Sequence, residues 1–318
     1  MAIGGGDGSS KETAITVESL ADLLQANTDN SGKYIKVLND INPANEPSYT
    51  GSITSAQATY KNYIYADTPK TISGLVVVGN AFIMTPNNTS STFEQINFMN
   101  CVFKATSTSS TLLRGYNSSS PMNLNKCTIS IRCQISGYDS TFYVYSNGTS
   151  IINCSIYVQN SIKGSSGSIL IQPSASAIPT TNSNFVFENF YVTGYTSDSQ
   201  SMWSYYTSSC AFVWKNCTFT GTKLFSSSSS GYDHSIQTYH ACTGCTFPSG
   251  QQVVRCTKSN AVACDNDTST TGSNYPFTPY TSTPASLVVL CTLSEDGEVG
   301  FSESLKNKQY LLDTGFLP

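Results

Sequence analysis

The sequence predicts an all-β chain, wound as a right-handed single-stranded parallel β-helix with a short N-terminal capping helix and an irregular C-terminal cap. Three observations predict it: a repeated apolar pattern, a phase slip at a recurring asparagine, and a charge-poor composition. The pattern is set by Phe93–Phe103, FEQINFMNCVF. With Cys101 as position zero, apolar residues stand at minus five (Ile96), minus three (Phe98) and plus two (Phe103). Similar columns return around Cys127, Cys154, Phe190, Cys217 and, more loosely, Cys245, in steps of 26, 27, 36, 27 and 28. A nearly constant step of this size is the mark of a coil stacked on itself.

Alternation at minus five and minus three has the period of a strand. Between minus three and zero the phase slips by one, at Asn100, Asn153, Asn189 or Asn216. Asparagine tolerates the left-handed backbone of a sharp bend. Each repeat is therefore expected to run strand, asparagine corner, strand and a looser return, with a column of cysteines beside a column of asparagines.

This pattern resembles the right-handed parallel β-helix of pectate-lyase-like proteins and phage tail spikes. The resemblance covers about residues 33–250, is one of architecture, and brings no catalytic motif. It implies a rigid rod that in phage is usually a homotrimer.

Residues 1–12 form a Gly/Ser arm, expected to be flexible or to grip a neighbour. Thr16–Ala26 is amphipathic and predicts a helix capped by Thr16, with the arm and helix occupying 1–32. A helix there would cover the open end of the first coil. Tyr34, Tyr63 and Leu75 begin early coils, and Asn80 before Ala81 fits the corner pattern. The β-helix proper spans 33–250, its one long step holding an expected lateral loop at Ile169–Thr181. Residues 251–318 form a terminal cap or docking segment, with a strand at Leu287–Leu293 and a helix near Ser302–Leu311.

Only 11% of residues are charged and the formal net charge is −4, which argues against a nucleic-acid surface. No apolar run reaches the length of about 18 residues that a membrane span needs, so no membrane insertion is expected. The amino terminus lacks the basic and apolar regions of a secretory signal. Eleven cysteines, an odd number mostly in one predicted inward column, suit buried free thiols better than a disulfide framework.

Catalysis in this architecture needs converging acids. Between 93 and 247 the acids are Glu94, Asp139, Glu188, Asp198 and Asp233, and no two share a column; Asp198 and Asp233 are the pair that loops could bring together. Glu188 aligns with Lys215 one coil on, as a surface ion pair. Cys242, Cys245, Cys256 and Cys264, with His240, have zinc-ligand chemistry, but their spacing matches no common zinc knuckle. No cofactor is expected. Tyr116, Tyr143 and Tyr206 all fall at minus eleven, a column that either fills the coil or presents rings to a glycan or a neighbouring subunit.

Three functions fit. The first is a non-enzymatic structural or receptor-binding virion component (tail spike, tail fibre or head fibre), a homotrimer assembled in the host cytoplasm and held to other virion proteins through the N-terminal arm or C-terminal segment. The second is a phage depolymerase acting on host-surface polysaccharide. The third is a bacterial surface adhesin.

Overall fold

The computed structural model describes residues 4–107, 110–115, 120–135, 142–146, 150–160, 166–167, 169–173, 180–181, 183–192, 207–208, 210–219, 225–227, 237–243, 254–256, 261–262 and 286–293. Strand register within these residues establishes a parallel β-helix. Ile15 lies opposite Ile35, Ile35 opposite Ile64, and Ile64 opposite Phe93; the row continues through Leu124 and Ile151, and every member is buried. On the next wall, Ile72, Phe98, Ile129, Ile156, Phe185 and Phe212 form a second parallel row. A third wall is a separate four-stranded parallel sheet of Ala81–Thr85, Thr111–Gly115, Phe142–Ser146 and Ile169–Pro173. Alternate residues point inward, so one lap's apolar side chains rest on the next. Aromatic rings fill the early laps edge to face: Tyr60 on Phe93 at 5.0 Å and Phe82 on Phe98 at 5.6 Å between centroids.

The corners are left-handed, as the asparagines predict. Asn100, Asn153, Asn189 and Asn216 all have φ between 51° and 61°, and so do Gln95 and Lys126. They do not form one ladder. Asn125 lies opposite both Glu94 and Ile152, which stacks Lys126 between Gln95 and Asn153 at one corner. Glu188 lies opposite Lys215, which places Asn189 beside Asn216 at another. Asn100 is the extra residue where the register shifts between Ile129 and Ile131.

The cysteine column divides for the same reason. Cys127 and Cys154 are neighbours, with the Cys127 N–H donating to Cys154 Sγ at 3.5 Å, whereas Cys101 lies opposite Ile131. Cys154 is followed in its row by Ser183, whose Oγ accepts the Cys154 N–H at 3.1 Å, and not by Phe190. Successive laps are therefore 31, 27 and 29 residues long. The long step disappears, and the first part of the expected lateral loop, Ile169–Pro173, is a wall strand paired with Phe142–Ser146, while residues 174–179 lie outside the described residues. Asn80 is not a left-handed corner; Gly74 and Gly79 take the positive φ in that lap. Gly79 also lies against Ser55, where a Cβ would meet Oγ at 2.4 Å.

Cys101, Cys127, Cys133, Cys154 and Cys217 are buried free thiols. Burial pushes Cys101 up to about 12, and Cys133 and Cys154 well above the ordinary thiol range.

The helix spans Leu20–Asp29, with Ser19 as the cap accepting the Asp22 N–H. Thr16 is instead in the strand Ile15–Val17, which joins the sheet ahead of residue 33. The β-branched pair Ile15 and Val17 packs inward there, and Glu46 supplies the anion at the helix start by accepting the N–H groups of Leu20 and Ala21. From residue 4 the arm folds back: Gly4–Gly5 pairs antiparallel with Ile15–Val17, and Gly6 and Gly8 donate to Ala14 and Thr13. At the other end, Ser286–Leu293 pairs antiparallel with Gln237–Thr243 and Ala261–Val262, which breaks the parallel stacking. The expected helix near Ser302–Leu311 lies outside the described residues. No described helix is long and apolar enough to cross a membrane.

Candidate functional site

The outer wall of the early laps carries a charged, aromatic cleft of about 340 Å³, lined by Lys11, Glu12, Lys36, Tyr65, Ala66, Asp67, Glu94 and Gln95. Register builds its back: Lys36 lies opposite Tyr65, and Tyr65 opposite Glu94. The N-terminal hairpin supplies Lys11 and Glu12. The Lys11 ammonium reaches Glu94 Oε2 at 2.9 Å and sits 5.0 Å from the ring centroids of both Tyr63 and Tyr65. Tyr63 Oη donates to the same Glu94 oxygen at 2.5 Å, and Tyr65 Oη donates to the Lys11 carbonyl at 2.9 Å. Lys36 pairs with Asp67 at 2.5 Å. Gln95, left-handed at the corner, donates from its side chain to the carbonyls of Ala66 and Asp67.

The electrostatics follow from these contacts. The Tyr63 hydroxyl, and then the Lys11 ammonium, hold the Glu94 carboxyl below the usual range. Its hydrogen bond to Glu94 raises Lys11. Burial first, then Glu94, raises Tyr63; burial raises Tyr65. Glu94 thus stays ionised and hydrogen-bonded, a fixed acceptor rather than a poised proton donor. A second cluster lies further along, where Tyr157 Oη and Gln159 Nε2 donate to Glu188 Oε2 and Arg132 Nε donates to Gln159. Among the described residues no group of three His, Cys, Asp or Glu side chains could hold a metal ion.

The residues singled out in the sequence fare differently. Asp198, Asp233, Tyr116, Tyr206, Cys245 and Cys264 lie outside the described residues. Tyr143 lies in the strand Phe142–Ser146, opposite Thr111 and Leu170, and Gly115 pairs with Ser146. With Tyr116 and Tyr206 outside the described residues, the tyrosine column at minus eleven lies outside them as well. Cys242 lies opposite Trp214 and Leu287 in the main sheet, whereas Cys256 is in a separate two-stranded sheet paired with Ser227. Glu188 and Lys215 are partners in backbone register on adjacent strands.

Sequence reasoning missed the cleft. Tyr63 and Tyr65 were visible as alternate residues of one early strand, but Lys11 belongs to a hairpin with no periodic signal. No protein-family model, curated protein or solved structure matches the chain.

Proposed function

We propose that the chain is a non-enzymatic structural or receptor-binding component of a phage virion, of the tail-spike, tail-fibre or head-fibre kind. One observation carries this reading: side-chain hydroxyls and amides hydrogen-bond from lap to lap along the parallel stack. Asn123 Nδ2 donates to Thr92 Oγ1 one lap before it, and Ser150 Oγ donates to Asn123 Oδ1 from the lap after. Asn97 Oδ1 likewise accepts the Thr128 N–H. Cross-lap bonds of this kind stiffen a rod, and a chain with only 11% charged residues suits lateral association and hydroxyl-rich ligands. The assignment to a virion rests on the architectural resemblance and on composition, and is an inference from fold to role.

Mass spectrometry of purified particles, with the mass of the isolated chain by light scattering, tests it. A trimer found in particles, without release of reducing sugar from host-surface polysaccharide, is the expected result. Release of reducing sugar that is lost in Asp198→Ala or Asp233→Ala makes the chain a depolymerase instead. A chain absent from particles and held on a bacterial envelope makes it an adhesin.

A further inference from the structure

We propose that the cleft between the N-terminal hairpin and the first laps binds a neutral saccharide through Glu94, Asp67, Lys11 and Lys36. The inference rests on the receptor-binding part of the reading above and gives it a place on the molecule.

The cleft has the size of a small-molecule site but not its usual apolar lining. Its walls are two ammonium groups, three carboxylates, a side-chain amide and a tyrosine. Both of Glu94's contacts, to Lys11 and to Tyr63, fall on Oε2, which leaves Oε1 as an acceptor at a carboxylate only 19% exposed. Asp67 meets Lys36 through Oδ2 and leaves Oδ1 as a second acceptor. The ammonium groups of Lys11 and Lys36 provide donors beside them. Vicinal hydroxyls donate to carboxylates and accept from ammonium groups, and such charge-assisted bonds are the strong ones. The paired side chains are already held in place, so little ordering accompanies binding. Three carboxylates against two ammonium groups disfavour an anionic ligand, which separates a neutral glycan from a phosphorylated or uronic one.

Isothermal titration of the full chain with chitotriose, maltotriose and cellotriose, beside trigalacturonate, tests the site. At least one neutral trisaccharide is expected to bind saturably and more tightly than trigalacturonate. Asp67→Asn and Glu94→Gln should each weaken it about tenfold or more, as loss of a charge-assisted bond does. Gln159→Ala, in the remote cluster, should leave it unchanged. The Asp67 side chain is 67% exposed, so its variant keeps the fold even where Glu94→Gln loosens the hairpin. Saturation by no neutral trisaccharide, preference for trigalacturonate, or parent-like affinity in Asp67→Asn overturns the site. Particle mass spectrometry is independent of this titration, so a chain present in particles but silent here overturns the site alone.

Discussion

The backbone N–H of Cys127 is satisfied by the sulfur of Cys154, one lap along the stack, at 3.5 Å. The Cys154 N–H is satisfied in turn by Ser183 Oγ at 3.1 Å. At these two positions a small side chain takes the amide of the preceding lap. Cys154→Ser should cost about 1 kcal/mol, because a hydroxyl already does this work at Ser183. Cys154→Val, nearly isosteric but unable to accept, should cost more, about 1–3 kcal/mol, by leaving a buried amide unpaired. Denaturant melts of the two variants decide the order. In the parent, peptide mapping after thiol labelling should find Cys101, Cys127, Cys133, Cys154 and Cys217 modified only once the chain is unfolded.

Lys126 occupies a left-handed corner at φ 53° with a side chain that gains nothing from that conformation, while Asn153 in the next lap has φ 54°. Lys126→Asn should stabilise the chain by about 0.5–1 kcal/mol, and Asn153→Ala should destabilise it by about 1 kcal/mol. Thermal unfolding of both checks the pair; equal and small effects would deny that the corner conformation selects the residue.

These corners also show what a sequence conveys and where it stops. The fold class was legible because burial alternates with period two and because left-handed bends select asparagine. Which bend an asparagine marks was not legible: a lap has several, and Asn100, Asn153 and Asn189 look alike in sequence although they occupy three different places in the coil. Aligning them as one column shortened one lap to 26 and stretched another to 36, where the true spacings are 31, 27 and 29. The cleft was less legible still. Lys36, Tyr65 and Glu94 come together through register, but Lys11 arrives from 83 residues before Glu94, by a hairpin whose only sequence signs are glycines at 4, 5, 6 and 8.

The capping helix is fastened by Asn27 and Asn62, both buried. Asn62 Nδ2 donates to Asn27 Oδ1 at 3.0 Å and to the Asn30 carbonyl at 3.2 Å, while its Oδ1 accepts the Lys33 N–H at 2.9 Å. Asn27 Nδ2 donates to the Thr59 carbonyl at 2.8 Å. One side chain therefore satisfies groups on the helix end, the first lap and its partner amide. Asn62→Ala should cost about 2–4 kcal/mol, more than an exposed substitution, because several buried polar groups lose partners together. It should also increase association through the uncovered lap end, read as a concentration-dependent rise in light scattering.

Acid should free the N-terminal hairpin from the wall before it unfolds the stack. The Tyr63 hydroxyl and the Lys11 ammonium depress the Glu94 carboxyl in the folded chain. A depressed carboxyl stabilises the fold above its unfolded value, near 4.5, and that contribution is lost as pH falls through the lower folded value. Below it Glu94 is neutral and Lys11 has lost its ionic partner. The turn inside the hairpin outlasts this step: the Ser9 N–H, then the Ser9 and Thr13 hydroxyls, bring Asp7 down to about 2. Hydrogen exchange at the amide of Tyr34, which donates to the Gly8 carbonyl at 2.9 Å, should therefore quicken as Glu94 protonates, while Gly8, bonded to Thr13 within the hairpin, stays protected to lower pH. At neutral pH Lys11→Met should quicken the Tyr34 amide about threefold to fivefold, the worth of an ion pair of up to ~1 kcal/mol. High salt should act in the same direction on the parent and not on the variant. Exchange at Tyr34 that ignores acid, salt and the substitution would mean that backbone bonds alone hold the hairpin, and that Lys11 and Glu94 are neighbours without being a clasp.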